Sequence, residues 1–479
     1  MNSPETLNPR RWLMLPVVLT AAFMAIIDVF IVNVAAPSIQ THLHASAGEV
    51  QWLVASYVLA YALGLITGGR LGDIYGRRRC FQLGLAGFTI ASALCGAAPS
   101  PGTLLGARFA QGLSAALMFP QMLSIIQVEF PPEERGRCFA LMGGVQGAGA
   151  ILGQVLGGGL ISLNVLGLDW RSVFLINGPI GIAALVAAGR LVPESRSEVA
   201  RRLDLGGVLL GSLVLGLVVF PLVEGRQAGW PWWVPVAFAL AVPVAALWLV
   251  YERRVSARGG SPLVELGLFR ERSFRLGVGL VLLFWMVTSF FLLVGIYFQE
   301  GLGYSPIGSG LLFLPLAVPF VIASLNSGRL GWIPHERLLP GGAAIASGGL
   351  LLAAVTVAGT VSTLPAAPLV VAFVLVGIGT GLFMPTVVGA VLRRIPAGDA
   401  GSASGVLSTA QQIGNAMGVT IAGTVFFSEL GSRGGPAAYG DALAAGALVA
   451  VTVTMGAAVF ALRLREPRAA RHAASPELT

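Results

Sequence analysis

The stretch Gly69-Arg70-Leu71-Gly72-Asp73-Ile74-Tyr75-Gly76-Arg77-Arg78-Arg79 decides the fold. It lies between two long apolar segments and sets four arginines and one aspartate in a turn too short for a domain. A glycine-pinched, charge-dense loop between two membrane spans has to lie in water. Its charges can bind only each other or neighbouring helix ends.

Composition agrees with that reading. Of 479 residues, 55% are hydrophobic and 11% charged, where a soluble domain carries about 25% charged residues. The mean hydropathy is +0.81. The apolar residues fall in runs of about eighteen or more, each long enough to cross ~30 Å of hydrocarbon as a helix. The 64 glycines suit close helix packing in a membrane. All 30 basic residues are arginine, and a chain without lysine has no Walker A loop, so an ATP-driven pump is excluded for this chain alone. Cys80, Cys95 and Cys138 lack CxxC spacing and read as packing residues. The four histidines are scattered through loops and the tail, so no metal site is expected.

Hydropathy predicts an all-α polytopic membrane protein with fourteen transmembrane helices. An internal repeat divides them. At an offset of 265, Gly112, Pro120, Gly136, Gln146, Gly149 and Gly153 match Gly377, Pro385, Gly401, Gln411, Gly414 and Gly418. At an offset of 259, Gly69-Arg70-Leu71-Gly72 matches Gly328-Arg329-Leu330-Gly331. An even number of spans between matching positions keeps the repeats parallel. The expected organisation is a six-helix bundle over 12–191, two inserted helices over 203–250 and a cytoplasmic linker over 251–273. A second six-helix bundle then covers 274–463, followed by a cytoplasmic tail over 464–479. With a cytoplasmic N-terminus only Arg171, Arg226 and Arg433 fall in outer loops. The positive-inside rule therefore places both termini in the cytoplasm and the chain in the cell inner membrane.

Ionisable residues inside spans default to function. Asp28 is the sharpest, the one carboxylate expected near the middle of a span; it should face a watery cavity or a partner. Arg108 is the matching intramembrane cation. Together they are the candidate proton-coupling pair. Asp73 lies at an inner helix end and can accept hydrogen bonds from the N-terminus of another helix; the span beginning near Ser402 is the expected partner. With Gly69, Gly76, Arg77 and Arg78 it forms a candidate latch between the bundles. The glycines of the fifth span, among them Gly149, Gly153, Gly157 and Gly158, form a flat face for close contact or a hinge. Asn33, Gln121, Gln146, Asn177, Trp285, Gln411, Gln412 and Asn415 are the candidate lining of a substrate cavity, although most such amides tie helices together.

These residues resemble the major facilitator superfamily, specifically its fourteen-helix drug:proton antiporter branch. Gly69, Asp73, Gly76, Arg77 and Arg78 stand as in its signature between helices two and three. Ile27-Asp28 through Asn33-Val34-Ala35-Ala36-Pro37 is similar to the branch's first-helix motif, with Phe30 for threonine and Ala36 for leucine. Arg108, Gln111 and Gly112 match the fourth-helix motif. The fifth helix resembles the antiporter motif, with Gln154 in place of its proline. Trp170-Arg171-Ser172-Val173-Phe174-Leu175-Ile176-Asn177-Gly178-Pro179-Ile180-Gly181 is similar to a run typical of the branch. The resemblance implies alternating access, in which inward proton flow drives a small amphipathic or cationic drug outward. No cofactor beyond the proton gradient and no nucleic-acid partner are expected; the expected unit is a monomer in the lipid bilayer. An exporter dedicated to one metabolite or antibiotic and an uncoupled facilitator are the alternatives. An enzyme is not expected, because no nucleophile–base or metal-ligand constellation appears in the spans.

Overall fold

The computed structural model describes residues 9–164, 167–197, 203–225, 228–330, 335–358, 366–393, 395–431 and 433–463; the tail expected over 464–479 lies outside them. The first bundle comprises α1 (Arg11–Leu43), α2 (Ala47–Tyr75), α3 (Arg77–Gly96), α4 (Pro101–Glu129), α5 (Pro132–Leu163), the short α6 (Ser172–Leu175) and α7 (Asn177–Leu191). Helices α8 (Leu205–Glu224) and α9 (Trp233–Ala257) follow. The second bundle comprises α10 (Arg272–Trp285), α11 (Thr288–Ile296), α12 (Pro306–Leu312), α13 (Leu314–Ser327), α14 (His335–Val357), α15 (Ala366–Leu392), α16 (Ala400–Leu430) and α17 (Pro436–Leu462).

Twelve helical stretches among the described residues are long and apolar enough to cross a membrane. The two expected spans outside that number have local causes. Helix α3 opens on three arginines, Arg77 to Arg79, which lower its hydropathy. Helices α12 and α13 are one apolar path interrupted at Phe313; Pro315 supplies no backbone N–H and clashes with the preceding turn.

The path α10–α11 is also interrupted, with no proline or glycine at the break. Met286 and Val287 close tight turns onto Leu283 and Phe284. The hydroxyls of Thr288 and Ser289 lie within hydrogen-bond reach of the Trp285 and Met286 carbonyls at 2.6 and 2.7 Å, so side chains next to the break can satisfy the carbonyls it frees. Helix starts are closed in the same way. Ser46 and Glu49 form a reciprocal capping box at α2, and Ser100 with Thr103 forms one at α4.

The inserted helices lie at the periphery: only 28% of the apolar window of α8 and 11% of that of α9 is buried in protein. The linker expected over 251–273 begins later than its sequence suggests, because α9 continues to Ala257. Glu252 drives this. It is fully enclosed and accepts hydrogen bonds from Trp248 Nε1 at 2.8 Å and from the Val264 amide at 3.4 Å. Leu263, Val264 and Leu268 are then buried against the helices, so the connection is packed.

The two bundles meet at the end bearing the 69–79 loop, here termed the loop end. Ser124 Oγ lies 3.2 Å from Ser404 Oγ. Gln127 Nε2 donates to the Leu392 and Ile395 carbonyls at 3.1 and 2.9 Å. Ser324 Oγ donates to the Ala140 carbonyl at 3.0 Å. Asp73 bonds to the start of α16. The side-chain hydrogen bonds described between the two bundles gather at this end, and α12 packs against α5 in the far half.

Candidate functional site

Two constellations emerge, one inside the first bundle and one between the bundles. The first is built around Asp28. Its side chain is wholly enclosed, as is that of Arg108. Arg108 Nη1 donates to Asp28 Oδ2 at 2.5 Å and to Gln111 Oε1 at 2.6 Å, and Arg108 Nε donates to the Leu53 carbonyl at 3.0 Å. Gln111 Nε2 donates to Asp28 Oδ1 at 2.7 Å and to Ser92 Oγ at 2.8 Å. Asn177 Nδ2 reaches Ser92 Oγ at 3.3 Å and Asp28 Oδ1 at 3.5 Å. The Arg108 guanidinium lies 4.5 Å over the Tyr57 ring. Five helices thus converge on one carboxylate. Arg108 and Gln111 share a face because they are three residues apart on α4.

A buried carboxylate paired with one guanidinium can exist charged, because the low dielectric that penalises each charge also strengthens their attraction. Removing one partner is the costly change. Arg108→Met is expected to lower stability by about 3–5 kcal/mol, by stranding Asp28. Asp28→Val with Arg108→Phe should recover most of that loss, measured as the melting temperature in detergent. A double variant no more stable than the single one would show that the pair is not the cause.

The second bundle supplies the reason for those replacements. The repeat extends to contacts: an added Cβ at Gly153 would meet Ile27, and one at Gly418 would meet Met286; Gly112 lies against the Tyr57 carbonyl and Gly377 against the Leu316 carbonyl. Asp28 therefore corresponds to Val287, Arg108 to Phe373, Gln111 to Val376 and Tyr57 to Leu316. Gly84 and Gly342 make matching contacts with α4 and α15, which pairs Ser92 with Leu350. The offset of 265 pairs Asn177 with Ala442. All six counterparts belong to one buried apolar cluster. Where the first bundle holds a charged network, the second holds a dry core.

The other constellation is at the loop end. The Asp73 carboxylate accepts from the Gly401 and Ser402 amides, both at 3.1 Å, and from Arg77 Nη2 at 2.7 Å. The unpaired amides and dipole of the α16 N-terminus favour an anion there. The backbones approach closely: a Cβ on Gly69 would lie 2.2 Å from the Gly401 carbonyl oxygen. Gly76 adopts φ +108°, a conformation open to glycine. That turn lets the Arg78 and Arg79 amides donate to Glu194 at 3.1 and 3.3 Å, and Arg78 Nε lies 3.7 Å from the same carboxylate. Asp399, just before α16, is raised above the usual carboxylate range by burial first, then by Glu265 and Asp73, with Arg70 opposing.

The remaining candidates divide. Gly149, Gly153 and Gly157 pack α5 against α1, and Gly158 is buried. The side chains of Asn33 and Gln154 lie outside the described residues. Two cavity assignments are corrected. Gln121 is enclosed within the first bundle, donating to the Gly68 carbonyl at 2.6 Å. Asn177 is enclosed in the Asp28 network. Asp28 likewise meets protein partners and no open cavity. Gln146, Trp285, Gln412 and Asn415 are half-buried, and Gln411 is 7% exposed. Ser92 and Tyr57 were not singled out by sequence; single hydroxyls in apolar helices carry no distinguishing signal. Gln111 could have been, by its spacing from Arg108.

Two helical bundles thus meet through polar contacts at the loop end, and one of them encloses a carboxylate–guanidinium pair. The chain belongs to the Major Facilitator Superfamily, whose family model matches residues 18–419. It is 39% identical to a probable actinorhodin transporter of Streptomyces coelicolor, over 88% of this chain and 74% of that protein. It is 36% identical to a puromycin resistance protein of Streptomyces alboniger, over 94% of this chain and 89% of that one. Among solved structures, a proton:xylose symporter of the same superfamily shares the fold with a TM-score of 0.65 at 15% identity, covering 92% of this chain and 94% of that one. The protein is a multi-pass membrane transporter and not an enzyme.

Proposed function

We propose that this chain is a proton-coupled exporter that moves small amphipathic antibiotics out of the cell by alternating access of its two bundles. The observation that carries the reading is the enclosed Asp28–Arg108 pair. A carboxylate held in the membrane interior by one guanidinium and two amides is the mid-span acid available to carry a proton. The names of the relatives support antibiotics as cargo. In this reading all fourteen spans cross the inner membrane of the cell, both termini are cytoplasmic, and the loop end is the cytoplasmic gate. The working unit is a monomer in the lipid bilayer.

Asp28 takes a proton from outside when the far end is open. Neutralisation loosens its hold on Arg108, and the bundles rock to open the loop end. There the proton leaves and substrate loads. The test is accumulation of labelled puromycin and of a fluorescent aromatic antibiotic in inside-out vesicles energised by a proton gradient. Uptake above the passive level that an uncoupler abolishes is the expected result. Uptake that the uncoupler leaves unchanged would replace this reading with that of a facilitator.

A further inference from the structure

We propose that the wall of α16 opposite the α10–α11 break is the substrate-recognition surface, and that it selects uncharged aromatic compounds bearing carbonyl or phenol oxygens over lipophilic cations. The proposal rests on the exporter reading and names its cargo by chemistry.

Charge comes first. Apart from Asp28, every acidic residue of the described helices lies within six residues of a helix end. Asp28 and Arg108 are sealed off and satisfied by each other. No carboxylate is thus free to meet a cation at mid-depth, where a charge without a partner is strongly disfavoured. An aromatic face offers a cation less than a carboxylate does.

The α16 wall offers something else. Gly401 and Gly405 turn one face of α16 to α2, while Gly414 and Gly418 press another against the Leu282 and Met286 backbone at the break. On the helical wheel Gln412 shares the face of Gly401 and Gly405, about three turns farther from the loop end, where it is half-buried. Asn415 falls between the two faces and is half-buried as well. Among the described residues neither Gln411, one turn before Asn415 and 7% exposed, nor the half-buried Gln412 has a side-chain hydrogen-bond partner. Thr288 Oγ1 lies 2.5 Å from the Asn415 amide and 2.6 Å from the Trp285 carbonyl, and its one proton can serve only one of them. Whichever way the Asn415 amide is turned, it keeps at least one N–H free for a ligand oxygen.

The break itself is held still. A Cβ at Gly414 or Gly418 would lie 2.3 or 2.2 Å from a backbone oxygen, so these glycines fix the spacing of the two helices. Trp285, at the end of α10, is half-buried and meets Phe284 edge-on. Phe284 stacks on Phe383 at 3.8 Å, a rigid support for a flat ring. Amides on α16, a braced indole at the end of α10 whose own carbonyl shares Thr288 with Asn415, and no carboxylate at mid-depth match a neutral oxygen-bearing aromatic.

The test is binding to the purified full-length protein in lipid nanodiscs without any gradient, by equilibrium dialysis. The probes are dihydroxyanthraquinone and tetraphenylphosphonium. Wild type is expected to bind the quinone and not the cation. Asn415→Leu and Gln411→Leu should each weaken quinone binding about tenfold, at unchanged melting temperature. Asn415→Asp should gain tetraphenylphosphonium binding, a result that a misfolded variant cannot give. Wild type that binds the cation as tightly as the quinone, or binds neither, overturns the proposal, as does unchanged quinone binding by the leucine variants. Binding without a gradient is blind to coupling, so loss of the proton-driven reading in vesicles would leave this result standing.

Discussion

Asp28→Asn is expected to reduce uphill export by roughly tenfold or more, while leaving downhill exchange of substrate across the membrane. Asparagine keeps the shape of the carboxyl, and its one oxygen can still accept from Arg108, while its amide group stands where the oxygen facing Gln111 and Asn177 was. It cannot lose or gain the charge on which coupling is proposed to depend. Arg108 retains the Gln111 and Leu53 oxygens at 2.6 and 3.0 Å, so the guanidinium is not stranded. The variant should fold, with the network fixed as it stands after protonation. The measurement compares energised accumulation with counterflow exchange in the same vesicles at matched protein levels. Wild-type accumulation that remained sensitive to an uncoupler would place the proton site elsewhere.

Gly69→Leu is expected to abolish transport without unfolding either bundle. The position beside it shows why. A Cβ on Gly68 would strike the Ala116 carbonyl of α4, inside the first bundle, whereas one on Gly69 would strike Gly401 of α16, across the interface. A side chain at Gly68 therefore damages the helix packing on which folding depends. A leucine at Gly69 has no room only when the loop end is closed. Such a variant should melt like wild type yet remain open at the loop end. Cys80, Cys95 and Cys138 are all buried, so a single Ser404→Cys reporter can be read by maleimide labelling. Labelling should be slow in the wild-type background and fast beside Gly69→Leu. Normal export by that variant would show that closure does not need the approach of Gly69 to Gly401.

These expectations were legible in the sequence to different depths. Charges were the easiest to place. In so apolar a chain Asp28, Arg108 and Asp73 each need a partner, and the structure puts the first two together and Asp73 on the amides at the start of α16. The repeat was legible because glycines at helix crossings tolerate no Cβ, as at Gly153 and Gly418. Amides were not legible: Gln121 and Gln412 look alike in sequence, yet one is enclosed and ties α2 to α4 while the other is half-buried. The α10–α11 break was hidden because hydroxyls at Thr288 and Ser289 carry it. The buried linker was hidden because Glu252 reads as a surface charge until Trp248 and Val264 surround it.

The dry core that stands in the second bundle where the first holds its charged network also sets how freely each half can change. In the proposed reading the first half is an engine. Its ion pair accepts no one-sided apolar substitution, so such changes there must come in matched pairs. The second half is a selector. Val287, Leu316, Phe373 and Val376 obey only the looser rule that an apolar residue of similar volume will serve. Variation can therefore gather in the core of the second half while the ion pair of the first stays intact.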